Sequence, residues 1–180
     1  LDPLILASRL RKLKPDHFFI PGFNAPLGRP CSFSLTLHDL IHIHVREESS
    51  TAKTLYYQQL VRPALHRADI VFTVSNYSRE RIMEWSGIEA DKIVLSGNGV
   101  SSSFAPEGDT WQHERPYLLY VGNQKPHKNV EGLISAFAAS DMAKDFDLLL
   151  TGALTTSTAG MIESLRLGGR VLATGLVPDA

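Results

Sequence analysis

The chain has 180 residues, is 43% hydrophobic and 21% charged, and carries a formal net charge of −1. That balance excludes a disordered tail and gives no argument for a nucleic-acid partner. Its single cysteine, Cys31, excludes a disulfide framework and a cysteine-based zinc site, and a cytoplasmic compartment fits.

No apolar run reaches the ~18 residues of a membrane span. The start, LDPLILASRLRKLKP, places its basic residues after the apolar ones, against the order of a signal peptide. It lacks an initiator Met, and GLVPDA stops in mid-pattern, so both ends read as cut and a larger parent protein is expected.

In chain order, Asp2-Pro3 is an N-cap and first-turn pair. Leu6, Leu10 and Leu13 repeat at helical spacing up to Lys14-Pro15, where the helix stops. His17 to Ile20 reads as a strand, 21–30 as a Pro/Gly loop, and Ser32 to Leu37 as the next strand, followed by HDLIHIH. Thr51 to Arg67 reads as a helix that Pro63 kinks or splits. Ala68 to Val74 is a strand, Ser75 caps a helix that Gly87 stops, and Lys92 to Leu95 is a strand. The polar stretch 101–115 reads as the boundary region between two domains. The expected division is 1–105, a linker at 106–116, and 117–180.

The second part opens on YLLYVGNQKPHKNVEGLISAFAA. Tyr117 to Val121 reads as a strand buried on both faces, and Gly122 ends it. The loop 123–128 carries Lys125, His127 and Lys128. Asn129 is an N-cap, and Val130, Leu133, Ile134, Phe137 and Ala138 share one helical face. Phe146 to Thr151 is another buried strand, ending in Gly152. A Ser/Thr-rich loop spans 155–158, a helix 161–167, and a last strand 171–174. This alternation calls for an α/β fold with parallel sheets, in two Rossmann-like units, each incomplete in this chain.

A cationic loop delivered to a helix N-terminus at the carboxyl end of a strand is a place for an anion. Lys128 stands against the helix dipole, a conflict that a bound diphosphate resolves. A solvated surface lysine is the alternative. His38-Asp39, at the end of a strand, offers a hydrogen-bonding imidazole. A metal site on His38, His42 and His44 is its rival, but no single regular element presents all three, and no metal requirement is expected. Asp145-Phe146-Asp147 matches a D-x-D pattern but precedes a strand rather than following one, so a polar turn is the simpler reading. Ser75 lacks the G-x-S-x-G surroundings of a nucleophile.

FFIPGFNAP, TLHDL, ADIVFTVSNYSRERI, KIVLSGNGV, YLLYVGNQKPHKN, LLLTG and VLATGLVPDA, in this order, resemble a retaining glycosyltransferase of family 4 with the GT-B fold. The resemblance implies two domains facing across a cleft, the acceptor on the first and the nucleotide sugar mostly on the second. It implies that His38 helps position the donor sugar, with Asp39 in the same motif, and that Lys128 pairs with the diphosphate. Gly122 lets backbone approach the phosphates, and Gly175 to Val177 line the base. Asn123, His127 and Gly152 belong to the same expected donor site. Asn123 and His127 stand where relatives carry an arginine, so bidentate guanidinium geometry is not reproduced. The family's paired glutamates would lie past residue 180.

The implied activity is transfer of a hexose from a GDP- or UDP-sugar to a saccharide or lipid-linked acceptor with retention, in glycan biosynthesis. Peripheral association of the parent with the inner face of a membrane stays open. The rivals are an epimerase or hydrolase on the same fold, a non-catalytic nucleotide-binding fragment, and a histidine-based metal hydrolase.

Overall fold

A computed structural model describes residues 2–102, 104–105, 107 and 111–177. The chain divides into two compact units, Leu1–Val100 and Ser101–Ala180. Each is built on its own parallel sheet.

In the first unit, strands β1 (His17–Ile20), β2 (Ser32–Thr36), β3 (Ile70–Thr73) and β4 (Ile93–Leu95) run in that spatial order. Phe18 lies beside Phe33, Leu35 beside Val71, and Val71 beside Ile93. The inner strand β2 is buried from Phe33 onward. Helix α1 (Pro3–Leu13) starts where the Asp2 carboxylate accepts from the N–H groups of Leu4 and Ile5, and ends at Lys14 in the left-handed region. A single turn, α2 (Ile41–His44), follows the His38-Asp39 pair. Helix α5 (Asn76–Ser86) has Ser75 as its N-cap and Gly87, at φ 76°, as its stop. Phe33, Leu35, Leu37, Val61, Leu65, Val71 and Ile82 form the core. Each such side chain contributes roughly 1.5–3 kcal/mol of burial free energy before the entropy of ordering it.

Pro63 does not split the helix over 51–67. Helix α3 (Thr51–Tyr56) passes into a π-turn, Tyr57–Val61, and then into α4 (Arg62–Arg67), with Pro63 in the first turn of α4. Proline has no N–H to give to the preceding turn. Widening that turn to i→i+5 bonding accommodates the ring while the chain stays helical.

In the second unit, β5 (Tyr117–Tyr120), β6 (Asp147–Leu150) and β7 (Val171–Ala173) lie side by side in that order. Tyr117 is in register with Asp147, and Leu148 with Val171. Two-sided burial holds for the central strand β6, whose four residues are all buried. It fails for β5, which lies at the sheet edge and leaves Leu119 54% exposed. Helix α6 (Val130–Ala139) presents Val130, Ile134 and Phe137 to the core, with Leu133 and Ala138 partly buried beside them. The short α7 (Met142–Asp145) leads into β6.

Helix α8 (Thr156–Ser164) begins five residues before the sequence pattern suggests. The Ser/Thr run is its cap: the side chains of Thr155 and Thr158 take each other's backbone N–H groups. A polar stretch that reads as loop is therefore a helix start.

The D-x-D pattern does not present two carboxylates to one ion. Asp145 closes α7, whereas Asp147 opens β6 and is 4% exposed. Its carboxylate lies 2.8 Å from His113 Nε2, 3.2 Å from Arg170 Nη1 and 3.5 Å from Arg115 Nε. Trp111 stacks on His113 at 5.3 Å, and Arg115 donates to the Lys144 carbonyl at 2.6 Å. Residues 111–116, expected as linker, are thus fastened to the second unit. Residues 106 and 108–110 of that stretch lie outside the described residues.

Candidate functional site

The donor-site residues expected from sequence gather at the carboxyl edge of the second sheet. The Tyr120 hydroxyl turns back and donates to the Asn123 carbonyl at 2.8 Å. Gly122 sits inside that loop at φ 155°, where a Cβ would stand 3.1 Å from the Tyr120 oxygen. Its N–H donates to Thr151 Oγ1 at 3.1 Å, tying the loop to the end of β6. Glycine is favoured here first by the positive φ, with the tight approach of the Tyr120 ring adding to it.

Lys128 closes a 3-10 turn, Pro126–Lys128, in which its N–H donates to the Lys125 carbonyl at 2.9 Å and that of Asn129 to Pro126 at 3.0 Å. Asn129 follows in the left-handed region at φ 51°. Its side-chain oxygen accepts from Gly132 N–H at 3.2 Å. A Cβ at position 132 would lie 2.5 Å from that oxygen, so Gly132 is what lets the cap fold over the first turn. The N-cap is where the sequence places it. It also claims one amide of the helix start, so an external anion must rely more on the exposed Lys128 and the loop before it.

Gly152, at φ 80°, donates its N–H to the Gly175 carbonyl at 2.9 Å, and the two form an isolated antiparallel bridge. The loop after β6 is thereby joined to the stretch after β7, on which Val177 is exposed. The remainder of the VLATGLVPDA motif, 178–180, lies outside the described residues.

Sequence reasoning passes over Gln124. Its side-chain nitrogen donates to the Ala153 carbonyl at 2.9 Å. Its oxygen accepts from Thr158 Oγ1 at 2.7 Å and from Thr155 N–H at 3.3 Å. No local pattern reveals this, because it depends on where α8 begins.

In the first unit, His38 and Asp39 are exposed at the end of β2. The His38 carbonyl accepts from Thr73 Oγ1 at 3.4 Å, and Asp39 accepts from Ile41 N–H at 2.9 Å, an Asx-type start for α2. His42 faces elsewhere: its Nδ1 is 3.1 Å from the Glu48 carbonyl and its ring packs on Tyr57 at 5.9 Å. Burial first, then the Asp39 carboxylate, pushes the Tyr57 hydroxyl up to about 12, so it stays neutral at ordinary pH. Among the described residues no three His, Cys, Asp or Glu side chains converge as a metal site would need. The structure thus places Gly122, Asn123, His127 and Lys128 on one loop and bonds Gly152 to Gly175; His38 and Asp39 belong to the other unit.

A cavity of about 360 Å³ at the amino edge of the first sheet, lined by Arg29, His66, Asp69 and Lys92, has a different character. Arg29 pairs with Asp69, Ser32 Oγ donates to Asp69 at 2.5 Å, and Lys92 donates to the His66 carbonyl at 2.5 Å. Arg29 and Asp69 neutralise each other there, and Lys92 and Arg67 are held by backbone carbonyls.

Comparison with known proteins adds the family signal. The model for Glycosyltransferase Family 4 matches residues 2–104. The O-antigen chain mannosyltransferase B of Escherichia coli is 28% identical over 168 residues, covering 84% of this chain and 42% of that protein. Among solved structures, TarM of S. aureus superposes with a TM-score of 0.66 at 19% identity, over 95% of this chain and 35% of that one. HepE of Anabaena, in complex with UDP and glucose, gives 0.65 at 16% identity, over 96% and 51%. At such identities the likeness is one of fold: two parallel-sheet α/β units of the GT-B type. The chain spans less than half the length of the E. coli relative.

Proposed function

The chain belongs to Glycosyltransferase Family 4, and from that premise we propose that its parent transfers a hexose from a nucleotide-diphosphate sugar to a saccharide or lipid-linked acceptor, with retention. The observation that carries this reading is the loop 122–129. It sets the exposed Lys128 immediately before a capped helix, at the carboxyl end of a parallel strand. A diphosphate leaving group develops charge in the transition state. An ammonium and nearby backbone N–H groups stabilise that charge more than they stabilise the bound donor. Gly122 and Asn123 form the wall nearest the phosphates, His127 adds positive charge when protonated, and Gly152, Gly175 and Val177 line the nucleoside side. The first unit supplies the acceptor side and, through His38 and Asp39, a group that orients the donor sugar. The two functional halves are 1–105 and 117–180, with 111–116 fastened to the second.

Among the described residues the acidic side chain next to the loop in sequence is Glu131, which accepts from Ser157 Oγ at 2.5 Å; that engagement supports a front-face course in which the departing diphosphate takes the acceptor proton. The mannosyltransferase named among the relatives favours a mannose-type donor. Thermal-shift screening of the parent against GDP, UDP and their sugars tests the reading. The matching nucleotide at a hundred times its Kd is expected to stabilise by about 2.7 kcal/mol, and a flat response across the panel would refute it.

Peripheral attachment of the parent to a membrane is part of the same proposal. Helix α1 exposes Leu4, Ile5 and Leu13 together with Arg9, Arg11 and Lys12, and has no acidic residue in its first turn. No described helix is long and apolar enough to cross a membrane; this one has the composition to lie on an anionic surface. Co-sedimentation with vesicles containing phosphatidylglycerol, lost with pure phosphatidylcholine or after Arg9→Glu with Lys12→Glu, is the expected result.

A further inference from the structure

We propose that Gln124 is a positioning residue that locks the donor-side loops into one preformed rim and reserves the N-terminus of α8 for itself. The proposal rests on the donor-site reading above.

The geometry is unusually complete for one side chain. A primary amide has a donor end and an acceptor end, and both are matched. The nitrogen meets the Ala153 carbonyl at 2.9 Å, and the oxygen meets Thr158 Oγ1 at 2.7 Å. Thr158 Oγ1 has one proton. Gln124 Oε1 at 2.7 Å is a nearer acceptor for it than the Thr155 carbonyl at 3.1 Å, and Thr158 Oγ1 accepts in turn from Thr155 N–H at 2.9 Å. Thr158 is 2% exposed, and a bond of this kind is worth more where water cannot compete.

Two consequences follow. First, the loops after β5 and β6 move as one body. Gly122 N–H on Thr151 Oγ1 is the second tie between them, and Gly152 carries the connection on to Gly175. Cation loop, central loop and base-lining stretch are linked before any ligand arrives, so binding does not have to order them. Second, the start of α8 is not an anion site. The Gln124 oxygen and the reciprocal threonine cap occupy the position an incoming phosphate oxygen would take. Phosphate is directed to the Lys128 side of the rim.

Hydrogen exchange and calorimetry on the full-length parent test this. Gln124→Ala is expected to speed exchange of the 122–128 amides about tenfold, while α6 and the C-terminal half of α8 stay as protected as before. GDP or UDP, whichever the parent binds, should lose affinity by a similar factor. Gln124→Glu separates positioning from simple loss of packing: it keeps the side chain's size and its acceptor contacts to Thr155 and Thr158 but sets a carboxylate oxygen against the Ala153 carbonyl, so exchange of the 122–128 amides should speed here too although packing is kept. Unchanged loop exchange in Gln124→Ala overturns the proposal. So does a phosphate titration in which the amide signals of residues 155–158 move more than those of 125–131. If Gln124→Ala fails to fold, Thr158→Ser, which keeps the hydroxyl but frees its rotation, should show the same selective loosening at smaller size. A parent that binds no nucleotide removes the donor-site reading and leaves the exchange result to decide the brace.

Discussion

Lys128→Ala in the full-length parent is expected to lower turnover about 10²–10³-fold, with donor affinity falling much less. Lys128 is exposed and sits at the positive end of α6, where a cation gains nothing from the protein itself. Its removal therefore relieves a local repulsion, and the melting temperature should hold or rise slightly. That combination is diagnostic. A lysine that merely decorated the surface would leave both quantities alone, and one that built the fold would lower both. Lys128→Arg should restore only part of the rate, because a planar guanidinium does not reproduce an ammonium point charge in a turn this tight. Steady-state kinetics with varied donor decide the matter, and near-normal turnover in Lys128→Ala would sink the assignment.

Asp147→Ala should have the largest effect on stability, a loss of about 3–5 kcal/mol from the second unit. The carboxylate is the shared partner of His113, Arg115 and Arg170, and its removal leaves the Arg115 and Arg170 guanidiniums without their common counter-charge. Asp147→Asn keeps the shape but not the charge and should cost less. Arg170 also donates to the carbonyls of Ala143 and Phe146, so it stays ordered in both variants and the damage should concentrate on 111–116. Denaturant titration followed by Trp111 fluorescence would show it; an unchanged midpoint would mean the network is idle.

Much of this molecule is legible in its sequence, and what escapes has a common cause. The alternation of apolar runs with capped helical segments gives both parallel sheets, and Asn129, Ser75, Asp2 and Gly87 act where local rules place them. Those signals are carried by neighbours in the chain. The edge position of β5 depends on how many strands lie beside it, which its own residues do not state. The partners of His17, Ser32 at 3.0 Å and Ser34 at 2.9 Å, come from the adjacent strand. Asp147 and Gln124 bond across 34 residues each, to His113 and Thr158 respectively. The Ser/Thr run before α8 misleads for a subtler reason: the same hydroxyls that favour loops also satisfy a helix start, and only the reciprocal pair at 155 and 158 distinguishes the two.

The π-turn at Tyr57–Val61 makes one continuous rod behave unequally along its length. Beyond it, Ala64 and Leu65 are buried under the sheet; before it, α3 has no buried residue at all. The free energy needed to open the helix must therefore fall from its carboxyl end toward its start, with the widened turn as the break in slope. The N-terminal part carries Thr51, Thr54 and Leu55, which with Arg46 and Gln58 wall a groove of about 620 Å³. Unwinding the first turn, 51–54, would widen that groove without disturbing Tyr56, which packs against the core and donates to Asn24 at 2.7 Å.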